Sequence, residues 1–189
     1  AGKHVFCEKP MSWTYAELWE RSVEVARALI AAGVGKDTRV GVLMTNRPEY
    51  ISSVFGIALA GGVTVSLSTF STPVELEYLL QAGAVSILLY ERQVLGKDFG
   101  AILGELEPGI ATASPGKPIG TKFPFLRRVV ALDSVTANAG PGAADGAAVE
   151  QWTGFLATGA AVEVAQVEAR SATTHPSDTG AIFFSSGTT

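Results

Sequence analysis

The chain has 189 residues, of which 47% are hydrophobic and 17% are charged, with 14 lysines and arginines against 18 aspartates and glutamates. This length suits one domain, or one domain and part of another, and the apolar fraction excludes a wholly disordered chain. A net charge of −4 without a basic cluster argues against binding to nucleic acid. The single cysteine excludes a disulfide framework and a cysteine-ligated zinc site, so the cytoplasm is the expected compartment.

Membrane insertion and secretion are not expected either. The longest apolar stretch, Val54–Leu67, is interrupted by glycine and hydroxyl residues, and is shorter than the ~20 apolar residues of a membrane span. The sequence starts without a methionine or the apolar core of a signal peptide. It stops at Thr189, within a loop of functional character, so we expect a fragment at both ends.

Helix and strand patterns alternate along the first half of the chain. Thr14 and Glu17 form a capping-box pattern at the start of a helix predicted over residues 15–32, and Gly33 is a suitable C-terminal cap. The apolar run 39–44 predicts a strand that is buried on both faces. The pattern then repeats, with helices predicted from the N-cap Asn46 to about Ala60 and from 72 to 82, and strands at 63–67 and 85–89. Such alternation predicts βαβ units and an α/β fold with a parallel sheet.

The second half of the chain is less regular. A helix is predicted over 93–107, a loop over 108–124, a strand over 126–132 and a weak helix over 151–170. The alanine- and glycine-rich segment 137–148 predicts a flexible surface excursion. A last buried strand at 180–184, expected in the interior of the sheet, runs directly into a terminal loop of five residues: Ser185, Ser186, Gly187, Thr188 and Thr189.

The terminal loop has the composition of an anion-binding turn. Gly187 has no Cβ, so the backbone can approach an anion closely. Successive N–H groups in such a turn form a concave anion nest, and the neighbouring hydroxyls can follow phosphate oxygens or bind Mg²⁺. Serine, threonine and glycine runs are usually ordinary turns, so these five residues alone are weak support for phosphate binding.

Three segments together resemble the acyl-adenylate-forming enzymes, which include AMP-forming acyl-CoA synthetases, luciferases and nonribosomal adenylation domains. Trp13–Leu18 resembles the family's opening motif, Leu59–Leu67 its second motif, and Asp178–Thr189 its third. The segments occur in the family's order and at about its spacing. The sequence departs from the family pattern where Ser66 and the residues after it replace the usual proline and acid. The resemblance covers residues 12–189 and is greatest to the acyl-CoA synthetases.

The resemblance implies the N-terminal part of the family's nucleotide-binding domain, with a short β-hairpin ahead of the parallel sheet. It implies that a carboxylic acid attacks the α-phosphate of ATP to give an acyl-adenylate and pyrophosphate, and that CoA then displaces AMP. By position, Ser185, Ser186, Gly187, Thr188 and Thr189 would hold the β- and γ-phosphates. The sequence lacks the family's loop lysine, acid pocket and C-terminal domain, so the chain alone is expected to be inactive.

Two other interpretations stay open. Glu8-Lys9-Pro10 resembles the motif of NAD(P)-dependent oxidoreductases of the glucose–fructose oxidoreductase type, in which Lys9 would be catalytic. No G-x-G-x-x-G fingerprint accompanies it, and residues 5–13 also fit a strand, a turn and a strand. The second alternative is a non-catalytic α/β module. Structural or solvent-exposed roles are expected for the remaining candidates, which are Cys7, Arg127, Arg128 and His175.

Overall fold

The computed structural model describes residues 14–132 and 149–185, which form a parallel sheet with helices on both faces. The helices are α1 (Tyr15–Ala31), α2 (Pro48–Leu59), α3 (Pro73–Ala82), α4 (Phe99–Leu106), α5 (Trp152–Ala157) and α6 (Val164–Ser171), with 3₁₀ turns at Pro108–Ala111 and Thr158–Ala161. The strands are β1 (Arg39–Leu43), β2 (Val63–Ser66), β3 (Ile87–Tyr90), β4 (Gln93–Val94), β5 (Lys97–Asp98), β6 (Arg128–Ala131), β7 (Val149–Gln151) and β8 (Ala181–Phe183).

The main sheet has six strands in the order β7-β6-β3-β1-β2-β8, and every neighbouring pair is parallel. The predicted α/β fold with a parallel sheet is therefore confirmed. Consecutive strands lie on opposite sides of β1, because β2 pairs with one edge of it and β3 with the other. The strand order thus reverses between β1 and β3, and in open α/β sheets the carboxyl edge at such a reversal is the usual place for ligands.

Successive side chains of the central strands point to opposite faces of the sheet, and each face has its own core. Val42 of β1 packs on the face covered by α1, α2, α5 and α6, whereas its neighbour Leu43 packs on the face covered by α3 and α4. Both side chains are fully buried, as predicted for a strand covered on two sides. The domain therefore has three layers, with the sheet between two layers of helices. Because the strands are parallel, their carboxyl ends lie along one edge of the sheet.

The helix starts follow the predicted chemistry, with one exception. In α1 the Glu17 N–H donates to Thr14 Oγ1 at 3.2 Å and the Thr14 N–H donates to Glu17 Oε2 at 2.7 Å, and the start of α3 has the same reciprocal pair. Helix α2 is capped by Arg47 and not by Asn46. Pro48 occupies the first helical position without an N–H to satisfy, so α2 forms without a side-chain capping bond.

The predicted helix over 93–107 is wrong in its first third. Residues 93–98 form an antiparallel hairpin instead, since Leu95 and Gly96 both have positive φ angles of 50° and 82°. Two such residues make a tight turn that suits the twist of paired strands. Asp98 then caps α4 by accepting the Ala101 N–H at 3.0 Å. The weak helix predicted over 151–170 divides into α5, a 3₁₀ turn and α6.

Strand β8 is parallel, as expected, but it is not an interior strand. Of the described strands only β2 pairs with it, so its other edge has no partner among the described residues, and Phe183 is 73% exposed. The expectation of a buried interior strand is therefore wrong for the part of the chain that the structure describes. The predicted hairpin at 5–13 and the segment 137–148 lie outside the described residues. None of the described helices combines the length and apolar character needed to cross a membrane.

Candidate functional site

The third motif begins at Asp178, which fixes the approach to β8. One carboxylate oxygen of Asp178 accepts the His175 N–H at 2.9 Å, and the other pairs with Lys36 Nζ at 2.9 Å. The hydrogen bond from the His175 N–H lowers the pKa of the Asp178 carboxyl most, and the contact with Lys36 lowers it further. The same contact with Asp178 raises the pKa of Lys36. Because Lys36 lies in the loop before β1, this contact ties the amino end of β8 to the centre of the sheet.

The pairing of β8 with β2 sets where the terminal loop leaves the sheet. The Thr64 N–H donates to the Gly180 carbonyl at 3.0 Å, and the register then places Ser66 beside Phe183, the last residue of each strand. Ser185 follows two residues later and is exposed. The structure therefore brings Ser185 to the carboxyl edge of a parallel sheet. The other four loop residues predicted to bind phosphate, 186–189, lie outside the described residues.

A network of charged and polar groups crosses the carboxyl edge at the strand reversal. Glu91, directly after β3, accepts both the N–H and the hydroxyl of Thr45, two residues after the end of β1, at 3.0 and 2.7 Å. The other carboxylate oxygen of Glu91 lies 3.2 Å from Arg47 Nη1, and Arg47 Nε donates to Glu49 at 2.8 Å. Burial raises the pKa of Glu49, but the hydrogen bond from Arg47, a backbone hydrogen bond and the positive charge of Arg47 together outweigh burial, so the net pKa is lowered. The network joins the ends of β1 and β3 to the first turn of α2.

Two further contacts hold the end of β2. The hydroxyls of Tyr50, in the first turn of α2, and Ser66 lie 3.2 Å apart. Beyond β2, Lys97 Nζ donates to the carbonyls of Thr69, Phe70 and Ser71 at 3.3, 2.9 and 3.0 Å. The strand end nearest to the terminal loop is thus held by a side-chain pair on one side and by a backbone clamp beyond it.

Sequence reasoning did not identify Thr45, Arg47, Tyr50, Glu91 or Lys97 as parts of this edge. One signal was present: Glu91 directly follows one buried parallel strand and Thr45 follows another by two residues, and the carboxyl ends of such strands meet at one edge. Their partners could not be inferred, since Thr45 and Glu91 are 46 positions apart in the chain.

The first two motifs have structural roles in the part of the chain that the structure describes. The first motif supplies the Thr14–Glu17 cap that starts α1. In the second motif, Gly61 turns the chain out of α2 with a φ angle of 81°. A Cβ on Gly62 would lie only 3.0 Å from Val34 Cγ1 and 3.1 Å from the Thr38 carbonyl oxygen. This glycine therefore lets β2 begin close to the connection between α1 and β1.

The remaining candidate residues within the described ranges either form structural contacts or lie on the surface. His175 and Arg127 are exposed, as expected. Arg128 is not a solvated edge residue, because its Nη1 lies 2.8 Å from both carboxylate oxygens of Glu150 and so links β6 to β7. The residues that carried the oxidoreductase alternative, 8–10, and the cysteine at position 7 lie outside the described residues.

A parallel sheet covered by helices on both faces, with Ser185 at its carboxyl edge, defines a doubly wound α/β domain, and domains of this class usually bind ligands at this edge. The chain belongs to the AMP-binding enzyme family, whose sequence model matches residues 1–189. Membership of this family does not favour the oxidoreductase alternative.

Individual proteins agree with this assignment. The acyl-CoA ligase SID4 of Ajellomyces capsulatus is 28% identical over 177 residues, covering 94% of this chain and 27% of that protein. The acyl-CoA ligase sidI of Aspergillus fumigatus is 33% identical over 96 residues, covering 51% of this chain and 16% of that protein. The crystal structure of coronafacic acid ligase from Pectobacterium brasiliense has the same fold, with a TM-score of 0.57 and 17% identity over 77% of this chain and 24% of that one. The chain thus spans about a quarter or less of the length of each of these three proteins.

Proposed function

We propose that the chain is part of an ATP-dependent carboxylic acid–CoA ligase, and that its last residues hold the triphosphate of ATP. The observation that carries this proposal is the position of Ser185 at the carboxyl end of β8, in a chain that matches the AMP-binding family throughout. The proposed reaction joins a carboxylic acid to ATP, releasing pyrophosphate, and then transfers the acyl group from AMP to the thiol of CoA. The proposed substrate is a small-molecule carboxylic acid, and a fatty acid is the first class to test. The proposed compartment is the cytoplasm.

The proposed role of the terminal loop is to position the phosphates of ATP. The acid oxygen must attack the α-phosphate while the pyrophosphate leaves, so charge accumulates on the β- and γ-phosphate oxygens. The hydroxyls and N–H groups of Ser185, Ser186, Gly187, Thr188 and Thr189 would donate to these oxygens and fix the pyrophosphate as the leaving group. The exposed Ser185, which follows the end of a paired strand, fits this role.

Magnesium is proposed to accompany ATP and to be held by its phosphates together with a loop hydroxyl. Hydroxyl and phosphate oxygens are ligands that Mg²⁺ prefers. Across residues 14–132 and 149–185, no group of three histidine, cysteine, aspartate or glutamate side chains is placed to hold a metal ion. When bound, the ion would neutralise the charge that develops on the leaving pyrophosphate.

The substitution Gly187→Val in the full-length protein tests the proposal. A Cβ at this position would block the approach of the backbone to the phosphates, so we expect a loss of about 100-fold in acid-dependent pyrophosphate release. Gly154→Val is the matched control, because a Cβ on Gly154 would meet no atom within 4 Å. Unchanged pyrophosphate release by the Gly187 variant, with both variants folded by circular dichroism, would contradict the proposed role of the loop.

A further inference from the structure

The hydroxyl pair Tyr50–Ser66 stands at the end of the strand that carries β8. Tyr50 lies in the first turn of α2 and packs against the core under that helix, while Ser66 is the last residue of β2. Both side chains are half-buried, and their oxygens are 3.2 Å apart. A bond between helix and strand at this point fixes the end of β2 relative to α2.

The register of the sheet relates this bond to the terminal loop. Ser66 and Phe183 are Cα partners, and Val65 and Ile182 pair one step earlier. Val65 and Ile182 pack in the core under α3 and α4, so Ser66 and Phe183 belong to the opposite face, where α2 lies. Ser185 follows Phe183 by two residues, which is about 7 Å of extended chain. Because β8 pairs with β2, the position of the Ser66 backbone helps to determine where the loop starts.

The tyrosine itself is held by the network at the strand reversal. The Tyr50 N–H donates to the Arg47 carbonyl at 3.0 Å, and Arg47 is paired with Glu91 at the end of β3. An unbroken series of contacts therefore runs from the end of β3, through the first turn of α2, to the end of β2 and onto β8. Lys97, with its three carbonyl contacts, limits movement of the chain just beyond Ser66.

We infer that the Tyr50–Ser66 hydroxyl pair is a positioning element for the phosphate-binding loop, acting through the pairing of β2 with β8. The inference rests on the proposed function, because it assigns the pair a role in ATP binding. Neither side chain need touch ATP. Catalysis is sensitive to displacements of about 1 Å at the reacting groups, so a relaxed end of β2 would weaken the contacts of the loop with the phosphates.

Steady-state kinetics of the full-length protein test the inference. The variants are Tyr50→Phe, Ser66→Ala, the double variant and Ser66→Thr, and the control is Tyr78→Phe, which removes a hydroxyl from a tyrosine that is 65% exposed on α3. For a lost neutral hydrogen bond we expect the KM for ATP to rise about three- to tenfold in each hydroxyl-deleting variant. The KM for the acid should stay unchanged. The double variant should resemble the single variants, and Ser66→Thr should restore the KM for ATP.

The outcomes separate this inference from the proposed function. Additive effects in the double variant, or equal changes in the KM values for ATP and acid, would show a general structural role and overturn the inference. An unchanged KM for ATP in Tyr50→Phe would also overturn it. If Gly187→Val abolishes pyrophosphate release while Tyr50→Phe has no effect, only the positioning role fails. If Gly187→Val has no effect, the proposed function of the loop fails as well.

Discussion

The contact between α1 and α2 provides a sharp test of the packing that supports the site. A Cβ on Gly56 would lie 2.7 Å from both Cβ and Cγ1 of Val25 and 2.9 Å from the Ser22 carbonyl oxygen. Carbon atoms at their optimal separation are about 3.5–4.0 Å apart, so Gly56→Ala requires the two helices to separate by about 1 Å. Overpacking of this kind costs up to about 3 kcal/mol, and the better helix propensity of alanine offsets about 1 kcal/mol of it.

We therefore expect Gly56→Ala to lower the free energy of unfolding by about 2 kcal/mol. Gly154→Ala is the matched control, since a Cβ at that position in α5 would meet no neighbour. It should leave stability unchanged or raise it by up to about 1 kcal/mol. Urea unfolding of the full-length protein measures the free energy of unfolding of both variants, and equal m-values would show that only stability has changed. A stabilising Gly56→Ala would refute the close approach of the two helices.

Two further predictions concern polar contacts. Thr72→Ala removes the capping oxygen that accepts the Glu75 N–H, so the free energy of unfolding measured in urea should fall by about 1 kcal/mol. Thr72→Ser keeps a hydroxyl and should change this free energy little. Equal losses in both variants would contradict a capping role. Because the folded pKa of Asp178 is below its ordinary value of 3.8, its stabilising contribution is present above that pH and is lost as the pH falls through the folded pKa. Asp178→Asn should therefore lower Tm at pH 7 and converge with the wild type in acid. A pH-independent difference in thermal unfolding would contradict the lowered pKa that the His175 N–H and Lys36 give Asp178.

The order of elements in the first half of the chain could be predicted because its signals are local. A capping box at Thr14 and a short apolar run after Asp37 each depend on residues a few positions apart. The prediction failed at 93–98, where the tight turn needs Leu95 in a left-handed conformation that leucine rarely adopts. Gly96 is the only residue of this segment whose type favours such a turn. The sequence pattern of 93–107 as a whole instead favoured a helix.

The candidate site was only partly predictable for a different reason. The composition of the terminal loop indicated an anion-binding turn, and Ser185 lies at the carboxyl edge of the sheet. The groups that build this edge are paired across the fold, as Thr45 is with Glu91 and Tyr50 with Ser66. Such pairs follow from strand order, and strand order is set by which helix covers which face and not by any local pattern.

The pairing of β8 with β2 relates the second and third motifs. The second motif supplies β2, whose start depends on Gly62 and whose end is held by the contact between Ser66 and Tyr50. The third motif supplies β8, which is aligned on β2 from Thr64 to Ser66. The second motif therefore contributes to the proposed phosphate site through the sheet, by placing the strand on which the third motif is aligned.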